Sequence, residues 1–312
     1  MANIKWGYAI NQWIPTSEHL TRREEQERAF KVMSVCGFRG VELNLGFGRW
    51  KPLGSPDQIE LNLGSVKKFL DFLNSCGIDQ VASYFFGVGR DHDPSNPTDH
   101  EKIFETAVPF AKFLNEVGGT RLVVRPMQSY WRVAPVTEEK IKIAADCWNK
   151  VGKMTMDYGV KTTLHIDFLC AIHSMRDVSK ILEFTDSDYV GLTIDTAEVV
   201  IAGNDPIKLY EEFYDRVDHF HFKDTHNIDA HEGYKNEGAE IWLLDSGGKQ
   251  GVERWFWEMG TLGGLVDFPE LMKKLKEHGY KGWIIVESDQ TPDPAESAML
   301  NRWYIKNVLS KI

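Results

Sequence analysis

The sequence predicts a closed α/β barrel of eight parallel strands, each followed by a helix. Three observations carry the prediction. Short apolar, β-branched segments alternate with longer amphipathic ones, repeating at about 30–40 residues, the size of a strand–helix unit. Strands such as Leu122-Val123-Val124 and Trp283-Ile284-Ile285-Val286 are apolar on both faces, as strands covered on both sides must be. No glycine-rich phosphate turn follows the first strand, which an open doubly wound sheet usually carries. The 312 residues fit one such unit, a single (β/α)8 domain of the TIM type spanning 1–312.

In chain order, 6–13 reads as a strand and 22–36 as an amphipathic helix closed by Gly37. A strand at 40–45 precedes a helix at 65–76 closed by Gly77, and the next strand is 80–86. A helix at 100–117 ends at Gly118-Gly119, a strand at 120–125 is stopped by Pro126, and a long helix at 138–158 ends at Gly159. Glycine just past a helix is the left-handed cap expected there. Strands at 161–167, 190–195, 219–224 and 282–287 then alternate with helices at 175–184, 206–214, 268–278 and 294–309. Two connections are long: 90–97, rich in Asp, Pro and Asn, and 225–264, an insertion after the seventh strand that carries Trp242, Trp255, Phe256 and Trp257. Loops of that length in a compact fold are usually lids or partner-contact surfaces.

The net charge of −10 argues against a nucleic-acid partner, which needs a basic stripe. No apolar run is long enough to span a membrane, and the N-terminal residues lack the basic and apolar regions of a secretory signal. Cys36, Cys76, Cys147 and Cys170 show no CxxC spacing and read as buried thiols of a reducing, cytoplasmic compartment.

Chemistry in such a barrel gathers at the C-terminal ends of the strands. The run His219-Phe220-His221-Phe222-Lys223-Asp224 sets His219, His221 and Lys223 on one face of a strand, an expensive choice for a plain core. The fifth strand ends His165-Ile166-Asp167, the sixth at Asp195, and the eighth at Glu287-Ser288-Asp289. Four consecutive strand ends thus offer an imidazole or a carboxylate, a mixed N/O set suited to Mn²⁺, Co²⁺ or Zn²⁺, with no thiolate for a structural zinc. Each residue also has an ordinary reading: Asp195 as a helix cap, Glu287 as a partner of Lys223 or Arg302, a histidine as a hydrogen-bonded core residue.

The runs Asp195-Thr196-Ala197-Glu198, His221-Phe222-Lys223-Asp224, Val266-Asp267-Phe268 and Gly279-Tyr280-Lys281-Gly282-Trp283 resemble the xylose isomerase-like sugar isomerase/epimerase family over nearly the whole chain. The resemblance implies a divalent metal, most often Mn²⁺ with Co²⁺, Mg²⁺ or Zn²⁺ as alternatives, held by His165, Asp195, His221 and Glu287. Many members carry Glu where this chain has His165, and Asp167 is then the substitute ligand. Inosose dehydratases are similar in the last two strands, but usually show His in place of Glu198. Phe220–Phe222 leading into Lys223-Asp224-Thr225-His226, with Arg254-Trp255-Phe256-Trp257-Glu258-Met259-Gly260, resembles the catalytic subunit of C-glycoside deglycosidases, lyases of 3-keto-glycosides that pair with a small β subunit.

On that resemblance the expected function is a metal-dependent lyase on oxidised, 3-keto sugar glycosides. It removes the proton next to the ketone, passes through an enediolate and expels the C1 aglycone. Asp167 or His173 is the expected base, Glu198 the acid/base, and Lys223 a neutralising cation. Glu42, Tyr84, Arg125, His219 and Trp257 are expected to meet the sugar or, for His219, to orient a ligand. Isomerisation, epimerisation or inosose dehydration would use the same intermediate. A non-catalytic sugar-binding subunit is the alternative of another kind, and the expected partner is a small β subunit or further copies of the chain.

Overall fold

A computed structural model describes residues 4–13, 23–44, 53–86 and 92–312. Residues 22, 45, 90 and 91, where the sequence reading sets the start of the first helix, the end of the second strand and the start of the first long loop, lie outside them, as do residues 1–3 of the N-terminal segment. Eight parallel strands close into a barrel in sequence order: β1 (Lys5–Ala9), β2 (Gly40–Asn44), β3 (Gln80–Phe86), β4 (Arg121–Val124), β5 (Lys161–His165), β6 (Val190–Asp195), β7 (Val217–Phe222) and β8 (Trp283–Val286). Strand β8 pairs with β1, so no sheet edge is left open.

Around the barrel run α1 (Arg23–Val35), α2 (Pro56–Leu63), α3 (Val66–Ser75), α4 (His100–Val117), α5 (Tyr130–Val133), α6 (Glu138–Met156), α7 (Met175–Phe184), α8 (Thr196–Ile201), α9 (Pro206–Phe213), α10 (Ala239–Ser246), α11 (Phe268–Glu277) and α12 (Pro294–Asn307). Side-chain caps start several of them: Ser65, Thr137, Ser174, Asp205, Asp267 and Asp293 each accept a first-turn N–H. The helices that the sequence pattern does not announce are short. Helix α2 is parted from α3 by Gly64 at φ +89°, and α8 is buried on every side, so neither shows the one-sided stripe of a long surface helix. Strand β1 stops at Ala9 and the chain turns through Ile10–Gln12, because the Gln12 side chain reaches across to Ser288 and Asp289 at the end of β8.

Two layers of apolar contact hold the barrel. Outside it, Phe220 and Phe222 pack on Tyr210, Tyr280 and Phe268 of the helix shell. Inside, the floor is plugged by Trp283 and Ile285 against Ala9 and Ala82. Glycine at position 40 is required there: a Cβ would lie 2.3 Å from the Trp283 ring.

The stretch 225–264 leaves the barrel after β7 and forms a second small core, in which Trp255, Leu243 and Val252 pack on Phe168, Leu169 and Ile201. Asp224 ties its start to its return. The Asp224 and Trp257 backbones pair, and its carboxylate accepts the N–H groups of Thr225, Gly260, Leu265 and Val266. Among the described residues no helix is long and apolar enough to cross a membrane.

Candidate metal centre

Strand alternation brings the four expected ligands together. His165 closes β5, Asp195 closes β6, His221 sits one residue before the end of β7, and Glu287 follows β8. His165 Nε2 lies 3.2 Å from Asp195 Oδ2, and His221 Nδ1 lies 3.7 Å from that oxygen and 3.3 Å from Glu287 Oε2. Each of the four is at most 3% exposed, so all are dehydrated and face one another.

The ordinary readings of Asp195 and Glu287 hold alongside this one. Asp195 caps α8 with Oδ1, which accepts Glu198 N–H at 3.1 Å, and turns Oδ2 inward. Lys223 Nζ, also buried, reaches Asp195 Oδ2 at 3.0 Å, Glu287 Oε2 at 3.1 Å, Glu198 Oε1 at 3.5 Å and Asp289 Oδ2 at 2.7 Å. Burial works against its charge, but these carboxylates override burial and hold the ammonium well above its ordinary pKa. Burial would also raise Asp195 and Glu287. The Lys223 ammonium, with hydrogen bonds from His165 and His221, pulls Asp195 below the carboxylate range, and His221 and Lys223 do the same for Glu287.

Glu198 behaves oppositely. Burial, then the charge of Asp167, push its carboxyl well above the ordinary range, although Lys223 is near and Phe168 N–H donates to it at 3.1 Å. Its proton is thus held more tightly than an ordinary carboxyl's. Asp167 holds Arg125 at 3.1 Å and accepts Leu169 N–H, which puts both beside Glu198 at the rim.

Two expected sugar contacts lie deeper than the sequence reading set them. Glu42 and His219 sit beneath His221 inside the barrel, bonded to each other at 3.0 Å and to Ser83. Tyr84 is not brought to the mouth. A bulge in β3 at Ala82 turns Ser83 and Phe85 inward, so Tyr84 points into the helix layer, where its hydroxyl donates to Leu53 O and its ring meets Phe110 and Phe113. Trp257 stacks on His226 at 4.3 Å and lies under the Arg254 guanidinium, with no contact to the four ligands. His173 is tied through Nδ1 to Cys170 O and walled by Tyr130 and Tyr234, also apart from them.

Four residues at the mouth, two of them named above from the sequence without a role, were assigned no function there. Phe256 covers Lys223 with its ring centroid 4.3 Å from Nζ. Asp289, more exposed than the carboxylates below it, accepts Gln12 at 2.9 Å and Asn11 at 3.4 Å on its other oxygen. Asp289 stands two residues after Glu287, the same-face spacing, and that signal was available. Nothing in the sequence brings Asn11 and Gln12 to it, because they come from the opposite end of the chain.

The donor set fits a divalent cation. Ligand atoms of His165, Asp195 and His221 lie within 4.8 Å of one another, and Glu287 Oε2 lies 3.3 Å from His221 Nδ1, a mixed N/O set.

Comparison with known proteins agrees with this arrangement of strands. The model of the family described as xylose isomerase-like TIM barrel matches residues 22–306. The chain belongs to that family. An inosose dehydratase of Clostridium beijerinckii is 30% identical over 293 residues, covering 90% of this chain and 88% of its own. A second inosose dehydratase, from Clostridium botulinum, is 26% identical, covering 91% of this chain and 90% of its own. Among solved structures, an L-ribulose 3-epimerase superposes with a TM-score of 0.73 at 17% identity, covering 100% of this chain and 95% of its own. A 3-keto-D-glucoside 4-epimerase from E. coli gives 0.64 at 15%, covering 99% and 100%. At those identities the structures share the fold.

Proposed function

We propose that the chain is a divalent-metal-dependent lyase acting on a cyclic polyhydroxy ketone. The observation that carries this reading is Glu198, a buried carboxyl set 3.5 Å from Lys223 Nζ beside the expected ligands, with its pKa raised by burial. Elimination needs such a donor for the leaving group, and a two-base epimerisation would use one to reprotonate the enediolate. An ion held by His165, Asp195, His221 and Glu287 would act as a Lewis acid on the charge that develops at the ketone oxygen, worth several kcal/mol.

The chain's own residues supply the rest. Asp167, oriented by Arg125, takes the proton from the carbon next to the ketone. The C–H electron pair becomes the new double bond, the bond to the leaving group breaks, and Glu198 gives it a proton. Lys223, fixed by four carboxylates and covered by Phe256, neutralises charge next to the reacting carbons. Asp289, with Gln12 and Asn11, is placed for ring hydroxyls.

Two leaving groups are consistent with these steps. Loss of water, an inosose dehydratase-type reaction, is favoured by the relatives with that name, which align over most of both chains. Loss of a C1 aglycone, a C-glycoside deglycosidase-type reaction, is favoured by the motif around His221 and Arg254. Burial of Trp255 and the stacking of Trp257 on His226 leave less aromatic surface for a flat aglycone, so water is the first choice.

Incubation of the Mn²⁺-loaded protein with an inosose, a 3-keto-C-glycoside, a 3-keto-O-glycoside and a free ketose in deuterated buffer tests the reading. Dehydrated or aglycone-free product supports a lyase and names its leaving group. Deuterium uptake with all hydroxyls kept would make it an isomerase or epimerase instead.

A further inference from the structure

We propose that Glu42 is a positioning residue for the cation centre: from below, it holds the Nε2 edge of His221 so that Nδ1 faces Asp195 and Glu287. The inference rests on the metal-centre reading above. Glu42 comes from β2, on the far side of the barrel from β7, and its Oε1 lies 2.9 Å from His221 Nε2. The N–H direction of that nitrogen is off the line to the oxygen, so contact and charge hold the ring more than an aligned hydrogen bond does.

The two oxygens of Glu42 divide their partners. Oε2 accepts Ser83 Oγ at 2.7 Å and His219 Nε2 at 3.0 Å, which leaves Oε1 to His221. An imidazole that keeps its proton on Nε2 has its lone pair on Nδ1, the atom 3.3 Å from Glu287 Oε2. Glu42, Ser83 and His219 are at most 1% exposed and do not line the mouth, so they act through His221 and not on substrate.

The same atoms pose a rival. Ligand atoms of Glu42, His219 and His221 also lie within 4.8 Å of one another and could form a cation site of their own. Titrating the purified chain with Mn²⁺, with free ion read by electron paramagnetic resonance and heat by calorimetry, separates the two.

One Mn²⁺ per wild-type chain is expected. Glu42→Gln should keep that stoichiometry and weaken binding by about 10- to 100-fold. Ser83→Ala, a smaller change that tests the same hold if Glu42→Gln does not fold, should weaken it by about 3- to 10-fold. Wild-type affinity in whichever of the two variants folds overturns the proposal. Two ions per wild-type chain and one in Glu42→Gln would also overturn it, since Glu42 would then be a ligand. A wild-type chain that binds no Mn²⁺ sinks the metal-centre reading itself, and this inference with it.

Discussion

The two ends of the barrel handle charge differently. At the floor Asp218 sits between Arg121 at 3.1 Å and Lys161 at 2.8 Å, one carboxylate for two cations, near a plug in which Trp283 fills the space left by Gly40. At the mouth Asp195, Glu198, Glu287 and Asp289 crowd round a single ammonium, and His165 Nδ1 is left without a partner among the described residues. The floor ion pairs satisfy most of its charge, although Arg121 Nε is left without a hydrogen-bond partner among the described residues. The mouth carries more buried acceptors than donors, the pattern of a place built to take a cation and a polyhydroxylated ligand.

The contrast can be broken by substitution, and the largest effect should be at the mouth. His221→Ala or Glu287→Gln is expected to remove metal and activity together, a fall of roughly 10³-fold if Lewis-acid assistance of several kcal/mol is lost. Metal content by plasma emission and turnover on the same preparation check this, and wild-type metal occupancy would contradict it. Glu198→Gln should leave the metal bound while slowing turnover by about 10²–10⁴-fold, the range for a general acid. Unchanged kinetics would take that role from Glu198.

The floor should respond in stability alone. Gly40→Ala drives a methyl into the Trp283 ring and is expected to cost about 1–3 kcal/mol in urea unfolding. Mn²⁺ affinity of the folded fraction should stay at the wild-type value.

The smallest effect is a pH shift. Glu198 must be protonated to act, so activity falls as pH rises through its raised pKa. After burial, the charge of Asp167 is the next cause of that rise, so Asp167→Asn should bring Glu198 ionisation to lower pH. Isotope-edited infrared titration of the glutamate carboxyls reads this without turnover. An unmoved titration would remove Asp167 as a cause.

The barrel, and the meeting of His165, Asp195, His221 and Glu287 at its mouth, were legible because strand period is a local property and these residues stand at comparable depths on consecutive strands. Tyr84 was not, because the bulge at Ala82 reverses which β3 side chains face inward and leaves no mark in the pattern of residues. Glu42 and His219 alternate correctly, but their depth below the mouth depends on barrel stagger. Phe256 and Trp257 are neighbours in a stretch without periodicity, and only the Asp224–Trp257 pairing decides which of them reaches Lys223.

A metal-edge anomalous map of Mn²⁺-loaded crystals tests the centre most directly. One peak within bonding distance of His165, Asp195, His221 and Glu287 is the expected result. A map with no peak there, or with its peak at another place in the chain, would contradict it.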